Sequence, residues 1–203
     1  MTVTDPGPAT SALIDRAKNI ILKPTEEWTK IEAEKPTIQS LYTGYIMPLA
    51  AIPIIAGAIG TLIFGIGGMG FMIRMSPVAV IVGAVVQYAF ALAGVYIMGL
   101  VINALADTFG AKKDEMQALK VAAYSGTAAW LAGVFGLFPP LALLAIVGLY
   151  SLFLLYRGLP ILMKAPADKA LGYTASVVVV LLVVGIVFAA LSSCVVGIGR
   201  IGG

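Results

Sequence analysis

The stretch VAAYSGTAAWLAGVFGLFPPLALLAIVGLYSLFLLY, residues Val121 to Tyr156, is 36 residues long and carries no charge. A bilayer core about 30 Å thick is crossed by roughly 20 apolar residues wound as a helix. The stretch is too long for one crossing, and it is interrupted at its middle by Phe138-Pro139-Pro140-Leu141. Proline removes a backbone donor and clashes with the preceding turn, so adjacent prolines end a helix. The reading is a hairpin of two spans, about 120–137 and 140–163, the second kinked near Pro160.

Three further runs without charge lie outward from it: Pro36–Ile73, Met75–Ala106 and Ala170–Gly199. With the hairpin they make 136 of 203 residues. The first predicts a span over about 44–66, with Pro48 and Pro53 inside it. The second predicts a long tilted helix over about 77–106, started by Ser76-Pro77. The last predicts a span over about 170–196. Its β-branched centre would weaken a helix in water, but no lone strand can span lipid, so the helix wins. The fold class is an all-α integral membrane protein with five transmembrane helices, residues 44–203, preceded by amphipathic helices.

Composition agrees. Hydrophobic residues make 60% of the chain and charged residues 11%, against about 45–50% and 25% in soluble domains. The net charge of +3 reads as contact with anionic headgroups, not nucleic acid. With one cysteine, Cys194, and no histidine, an intrachain disulfide and any Cys/His metal or haem site are excluded, as are Ser–His and Cys–His catalysis. No catalytic, metal or cofactor residues are assigned. Residues 1–43 are too polar at the start, and the first apolar run too long, for a cleavable signal peptide.

Charge also gives a direction. Arg16, Lys18, Lys23, Lys30 and Lys35 precede span one; Lys112, Lys113 and Lys120 lie between spans two and three; Arg157, Lys164 and Lys169 lie between four and five. Only Arg74 and Arg200 fall on the other side. By the positive-inside rule the N-terminus is cytoplasmic and the C-terminus outside.

Residues 1–10 read as disordered. In residues 11–43, Leu13, Ile14, Ala17, Ile20 and Ile21 recur at helical spacing opposite Asp15, Arg16, Lys18 and Asn19. This predicts an interfacial helix from Ser11, with Arg16 and Lys18 toward headgroups. Pro24–Ile31 predicts a second helix, capped by Thr25 and anchored in the interface by Trp28, with a docking helix for a cytosolic partner as the alternative.

Gly65-Ile66-Gly67-Gly68-Met69-Gly70 has dinucleotide-motif spacing but no preceding strand or following acid, so it reads as a glycine-rich outer turn. Small residues four apart (Ala56/Gly60, Ala79/Gly83, Ala129/Gly133, Ala132/Gly136, Gly185/Ala189) allow close helix approach, within one bundle or between copies. The candidate polar sites are Gln87, deepest in span two; Asn103 and Asp107, one turn apart at its end; Arg157 near the end of span four; and Tyr173. An Asp107–Arg157 pair is expected. Without ionisable groups at mid-span or two equal repeats, coupled ion transport is disfavoured.

Four segments carry a family likeness: Pro24–Ile31 with Pro36–Ser40; Gln117–Ser125; Trp130–Gly133; and Leu155–Lys164 followed by Asp168–Thr174. In this order and spacing the chain resembles the bacterial branch of the Yip1-domain proteins over residues ~11–196. The resemblance implies a cytosolic N-terminus and five membrane helices, in a bacterial inner membrane. The eukaryotic branch is linked to Rab GTPases, but its Asp-Leu-Tyr-Gly-Pro motif is missing here, so Rab binding does not carry over. The expected role is a non-enzymatic membrane protein that scaffolds or organises the membrane, with lipids, a second copy or other membrane proteins as partners. The alternative is a small channel, permease or lipid-handling protein for an uncharged or lipid substrate.

Overall fold

The computed structural model describes residues 8–68 and 71–201. Helix α1 (Pro8–Leu22) and helix α2 (Pro24–Ala33) form a bent pair, broken at Lys23 where Pro24 restarts the chain. The disordered reading of residues 1–10 lies outside the described residues for 1–7, whereas Pro8–Thr10 already belong to α1. Thr25 does not cap α2, because the helix begins one residue earlier, at Pro24.

A short helix, α3 (Ile38–Leu41), opens the first span with a capping box between Thr37 and Ser40. One π turn, Tyr42–Ile46, leads into α4 (Met47–Phe64), so the span starts six residues before the expected Gly44. The glycine-rich turn is a small antiparallel hairpin, β1 (Ile66–Gly68) and β2 (Phe71–Ile73). Helix α5 (Pro77–Leu105) follows, capped by the Ser76 hydroxyl accepting from Ala79 N–H.

The hairpin read from residues 121–156 is present, but wound more tightly than expected. Helix α6 (Glu115–Ser125) breaks at Gly126; α7 (Thr127–Ala132) continues as a 3-10 stretch, Gly133–Leu137. Phe138, extended at φ −130°, makes the turn. A second 3-10 stretch, Pro139–Leu149, leads into α8 (Tyr150–Leu162), which continues through Pro160. Helix α9 (Ala170–Ile201) ends the described chain.

Helices Ile38–Phe64, Pro77–Leu105 and Leu143–Leu162 are long and apolar enough to cross a membrane, and the part of α9 from Ala170 to Ile186 is a further apolar stretch. The architecture is the all-α membrane bundle expected.

Glycine decides how the hairpin packs. A Cβ on Gly133 would stand 2.3 Å from Pro53 Cβ, and one on Gly60 would stand 2.4 Å from the Gly136 carbonyl oxygen. The hairpin backbone thus lies directly on α4, the close approach that small residues permit. At the hairpin apex Phe138 meets Phe64 edge to face, ring centroids 5.3 Å apart. By contrast, a Cβ on Gly83 or Gly185 would meet nothing within 4 Å.

The largest buried side chains lie toward one end of the bundle. Ile20, Trp28, Ile31, Ile46, Ile102, Leu154, Leu159, Met163 and Tyr173 are buried together at the end of the bundle where the charges gather.

Candidate functional site

The charged end is built around α2. The last carbonyls of a helix lack internal partners and carry its negative pole. Here Lys120 of α6 supplies them: its ammonium donates to Ile31 O at 2.6 Å, Glu34 O at 2.8 Å and Glu32 O at 3.1 Å. All three of its donors are used, so a fully buried lysine is tolerated. One turn earlier, Gln117 Nε2 donates to the same Glu32 carbonyl at 3.1 Å.

The other face of α2 carries Trp28. Its indole is fully buried, edge-on to Tyr124 at 6.2 Å and flat against Gly158 of α8. A Cβ on Gly158 would sit 2.8 Å from the indole Cζ2. Tyr124 in turn packs on Tyr45, whose hydroxyl shares a 2.7 Å hydrogen bond with the Thr127 hydroxyl.

Helix α1 is joined by charge. Arg16 donates to Glu27 Oε1 at 2.8 Å and also pairs with Glu34, and its guanidinium lies 5.9 Å from the Tyr124 ring centre. Glu27 is 3% exposed, and Lys30 covers its second oxygen at 3.1 Å. Burial alone would lower the Arg16 pKa; the Glu34 and Glu27 carboxylates outweigh it, and the net shift is upward. Lys164 pairs with Glu32, and the Tyr150 hydroxyl donates to Ile21 O at 3.0 Å.

Two expectations about anchors are therefore corrected. Trp28 is enclosed by protein and does not meet lipid; Arg16 turns toward two glutamates, not headgroups. Helical periodicity identifies an apolar face without saying whether protein or lipid covers it. Lys18 alone of the three stays exposed.

The Asp107–Arg157 pair is not formed. Asp107 follows the end of α5 in a 3-10 turn and pairs with Lys113 at 2.6 Å. Arg157 instead donates to the Thr25 hydroxyl at 2.5 Å and lies over Phe153 at 6.0 Å. Asp107 is held by the loop after α5 and Arg157 by α2.

Tyr173 is fully buried, donates to Ile102 O near the end of α5, and stacks on Phe109 at 5.0 Å and 9°. It locks α9 to α5. Gln87 is exposed and lines an open groove between α4 and α5 with Thr61, Gly57 and Gly83. Asn103 accepts Asp114 N–H at 3.0 Å on its Oδ1 and lines a separate cavity of about 150 Å³ between α3, α5 and α6.

Of the candidates, the structure brings Arg16, Arg157 and Trp28 to one cluster on α2. Asn103, Tyr173 and Asp107 gather by the end of α5, and Gln87 stands apart. Lys120, Glu27 and Gly158 were missed as members of the cluster. Lys120 had a signal: it sits between Leu119 and Val121, at the edge of an apolar run, where a lysine needs a reason.

Comparison with known proteins bears on the same segments. The model of the Yip1 domain matches residues 18–189. The inner membrane protein YohC of Escherichia coli K12 is 32% identical over 181 residues, covering 87% of this chain and 93% of the relative. The YohC of Escherichia coli O6:H1 matches to the same extent. No solved structure matches.

Proposed function

The chain belongs to the Yip1-domain family, and from that premise we propose that it is a non-enzymatic multi-pass membrane protein that scaffolds or organises other membrane proteins. The carrying observation is the openness of α5. Only 11% of its most apolar stretch is buried within the chain. Val78, Ile81, Val82 and Val85 lie on its surface, 56–71% exposed. The polar groups of the charged end, meanwhile, are spent on internal ties: Lys120, Arg16, Glu27 and Glu32 all hold α1 and α2 to the bundle. Such a molecule presents rigid apolar helix faces to its surroundings, as a protein that associates within the bilayer must.

The N-terminus is cytoplasmic and the C-terminus outside in this reading, supported by the distribution of Lys and Arg. Its partners are lipids and either a second copy or another membrane protein; nucleic acid and Rab GTPases are not among them.

A photo-crosslinking residue at Val82 or Val85 of the full chain in native membranes tests this. Adducts with protein, to itself or to another membrane protein, are expected; adducts with lipid alone refute it. The second reading is a small channel, permease or lipid-handling protein, favoured by Gln87 and Thr61 on the open α4–α5 groove. It requires flux in liposomes that is lost on Gln87→Leu or Asn103→Leu.

A further inference from the structure

The cavity beside Asn103 differs from the apolar grooves elsewhere on the bundle. Its mouth is polar and its depth apolar. Glu115, at the start of α6, lines the mouth. Among the described residues its carboxylate has no ion-pair or hydrogen-bond partner. It is exposed at the surface end of the cavity, and its charge is left for a ligand, whereas Glu26, Glu27, Glu32 and Glu34 each have a cation.

Asn103 supplies the opposite chemistry. Its Oδ1 must be the atom that accepts Asp114 N–H, which leaves Nδ2, a double donor, without a described partner. Carboxylate and amide donor thus line one small space. Below them the walls are Ile38, Leu100, Met116 and Tyr96. At a rise of 1.5 Å per residue, Leu100 and Tyr96 lie roughly 8 and 13 Å from the end of α5 toward the membrane interior. The order along the membrane normal is therefore charge acceptor, hydrogen-bond donor, apolar wall.

We propose that this cavity binds a phospholipid with a primary ammonium headgroup, its ammonium on Glu115, a phosphate or ester oxygen on Asn103 Nδ2, and its chain along Leu100 and Tyr96. A primary ammonium offers three donors to a carboxylate, which makes a charge-assisted hydrogen bond. A choline headgroup has no N–H to donate, and a glycerol headgroup leaves Glu115 facing an uncompensated phosphate. The lipid site stands independently of the scaffolding reading, since crosslinking at Val82 does not depend on it.

The test uses the full chain in nanodiscs of mixed lipid, with retained lipids read by native mass spectrometry. Phosphatidylethanolamine is expected to be retained about tenfold over phosphatidylcholine and phosphatidylglycerol, the worth of one charge-assisted hydrogen bond. Glu115→Gln is expected to bring this ratio near parity while the melting temperature in phosphatidylcholine discs stays that of the wild type. Leu100→Trp, which fills the cavity without touching the charge, is expected to lower retention as well. Equal retention of the three lipids, or an unchanged ratio in Glu115→Gln, overturns the proposal. A second arm adds free ethanolamine to phosphatidylcholine discs. No rise in melting temperature is expected; a rise equal to that given by the lipid overturns the lipid as the source of the ammonium.

Discussion

Replacing Lys120 by methionine keeps most of the side chain's length and removes only its three hydrogen bonds. The bond to Ile31 O is fully buried, and those to Glu32 O and Glu34 O are part-buried. Losing a charged partner on a buried carbonyl costs about 1.5–3 kcal/mol, and each part-buried one about 0.5–1.5 kcal/mol because water can replace the ammonium. Part of this is returned, since the ammonium no longer has to be desolvated. A net loss of about 2–4 kcal/mol is expected, which raises the undocked population of α2 roughly 30- to 1,000-fold. Chymotrypsin reads that population directly. It cleaves after Trp28, whose side chain is fully enclosed while α2 is docked, so at limiting protease the cleavage rate follows the open fraction. Lys112→Met, at an exposed position, is the matched control and is expected to leave the rate unchanged. A less than threefold change for Lys120→Met would refute the capping argument by this measure.

Three further outcomes are expected. Arg16→Met leaves the Glu27 carboxylate buried with only Lys30, at a cost of about 2–3 kcal/mol once the partial exposure of Arg16 is discounted; the double change with Glu27→Gln, scored by the same Trp28 cleavage, should recover about 1 kcal/mol or more, and strict additivity would rule out the coupling. Gly133→Ala drives a Cβ to 2.3 Å from Pro53, an overpacking cost of about 1–3 kcal/mol that exceeds the roughly 1 kcal/mol gained in backbone propensity. Its melting temperature in detergent should fall, whereas Gly83→Ala, with open space around it, should leave it level or raise it; the reverse order would contradict the packing of the hairpin on α4. Alkaline phosphatase fused at Gly203 should be active and a fluorescent protein that folds only in the cytoplasm should be dark there, the opposite pattern reversing the proposed orientation.

The all-helical membrane character was legible because bilayer thickness sets a length and charge marks the ends, and three of the apolar segments, Ile38–Phe64, Pro77–Leu105 and Leu143–Leu162, are helices of membrane length. Phe138-Pro139-Pro140 told where the hairpin turns, since proline acts locally. Its 3-10 winding was not legible: Gly126, Gly133 and Gly136 permit a tight coil but do not demand one, and the choice follows from contact with Pro53 and Gly57 on α4. Asn103 could be singled out because an amide near the end of an apolar helix needs a partner. The partners of Asp107 and Arg157 could not, because distance along the chain says nothing about which way a helix is turned. The three segments of the family likeness around residues 24–31, 117–125 and 155–164 proved to be neighbours in space, tied by Trp28 on Gly158, Lys120 on α2 and Arg157 on Thr25.

Those ties also impose an order of events during synthesis. Lys120 meets Ile31 across 89 positions of chain, and Lys164 and Arg157 meet Glu32 and Thr25 across 132. Contacts of such long sequence separation form late. On a ribosome, α1 and α2 emerge first and can pair with each other, but they have no bundle to close on until both arms of the proline hairpin have been made. For that interval Trp28 and the free carbonyls of α2 are uncovered, a nascent chain holding one half of a clasp. The clasp shuts only when Gly158 arrives beneath the Trp28 indole.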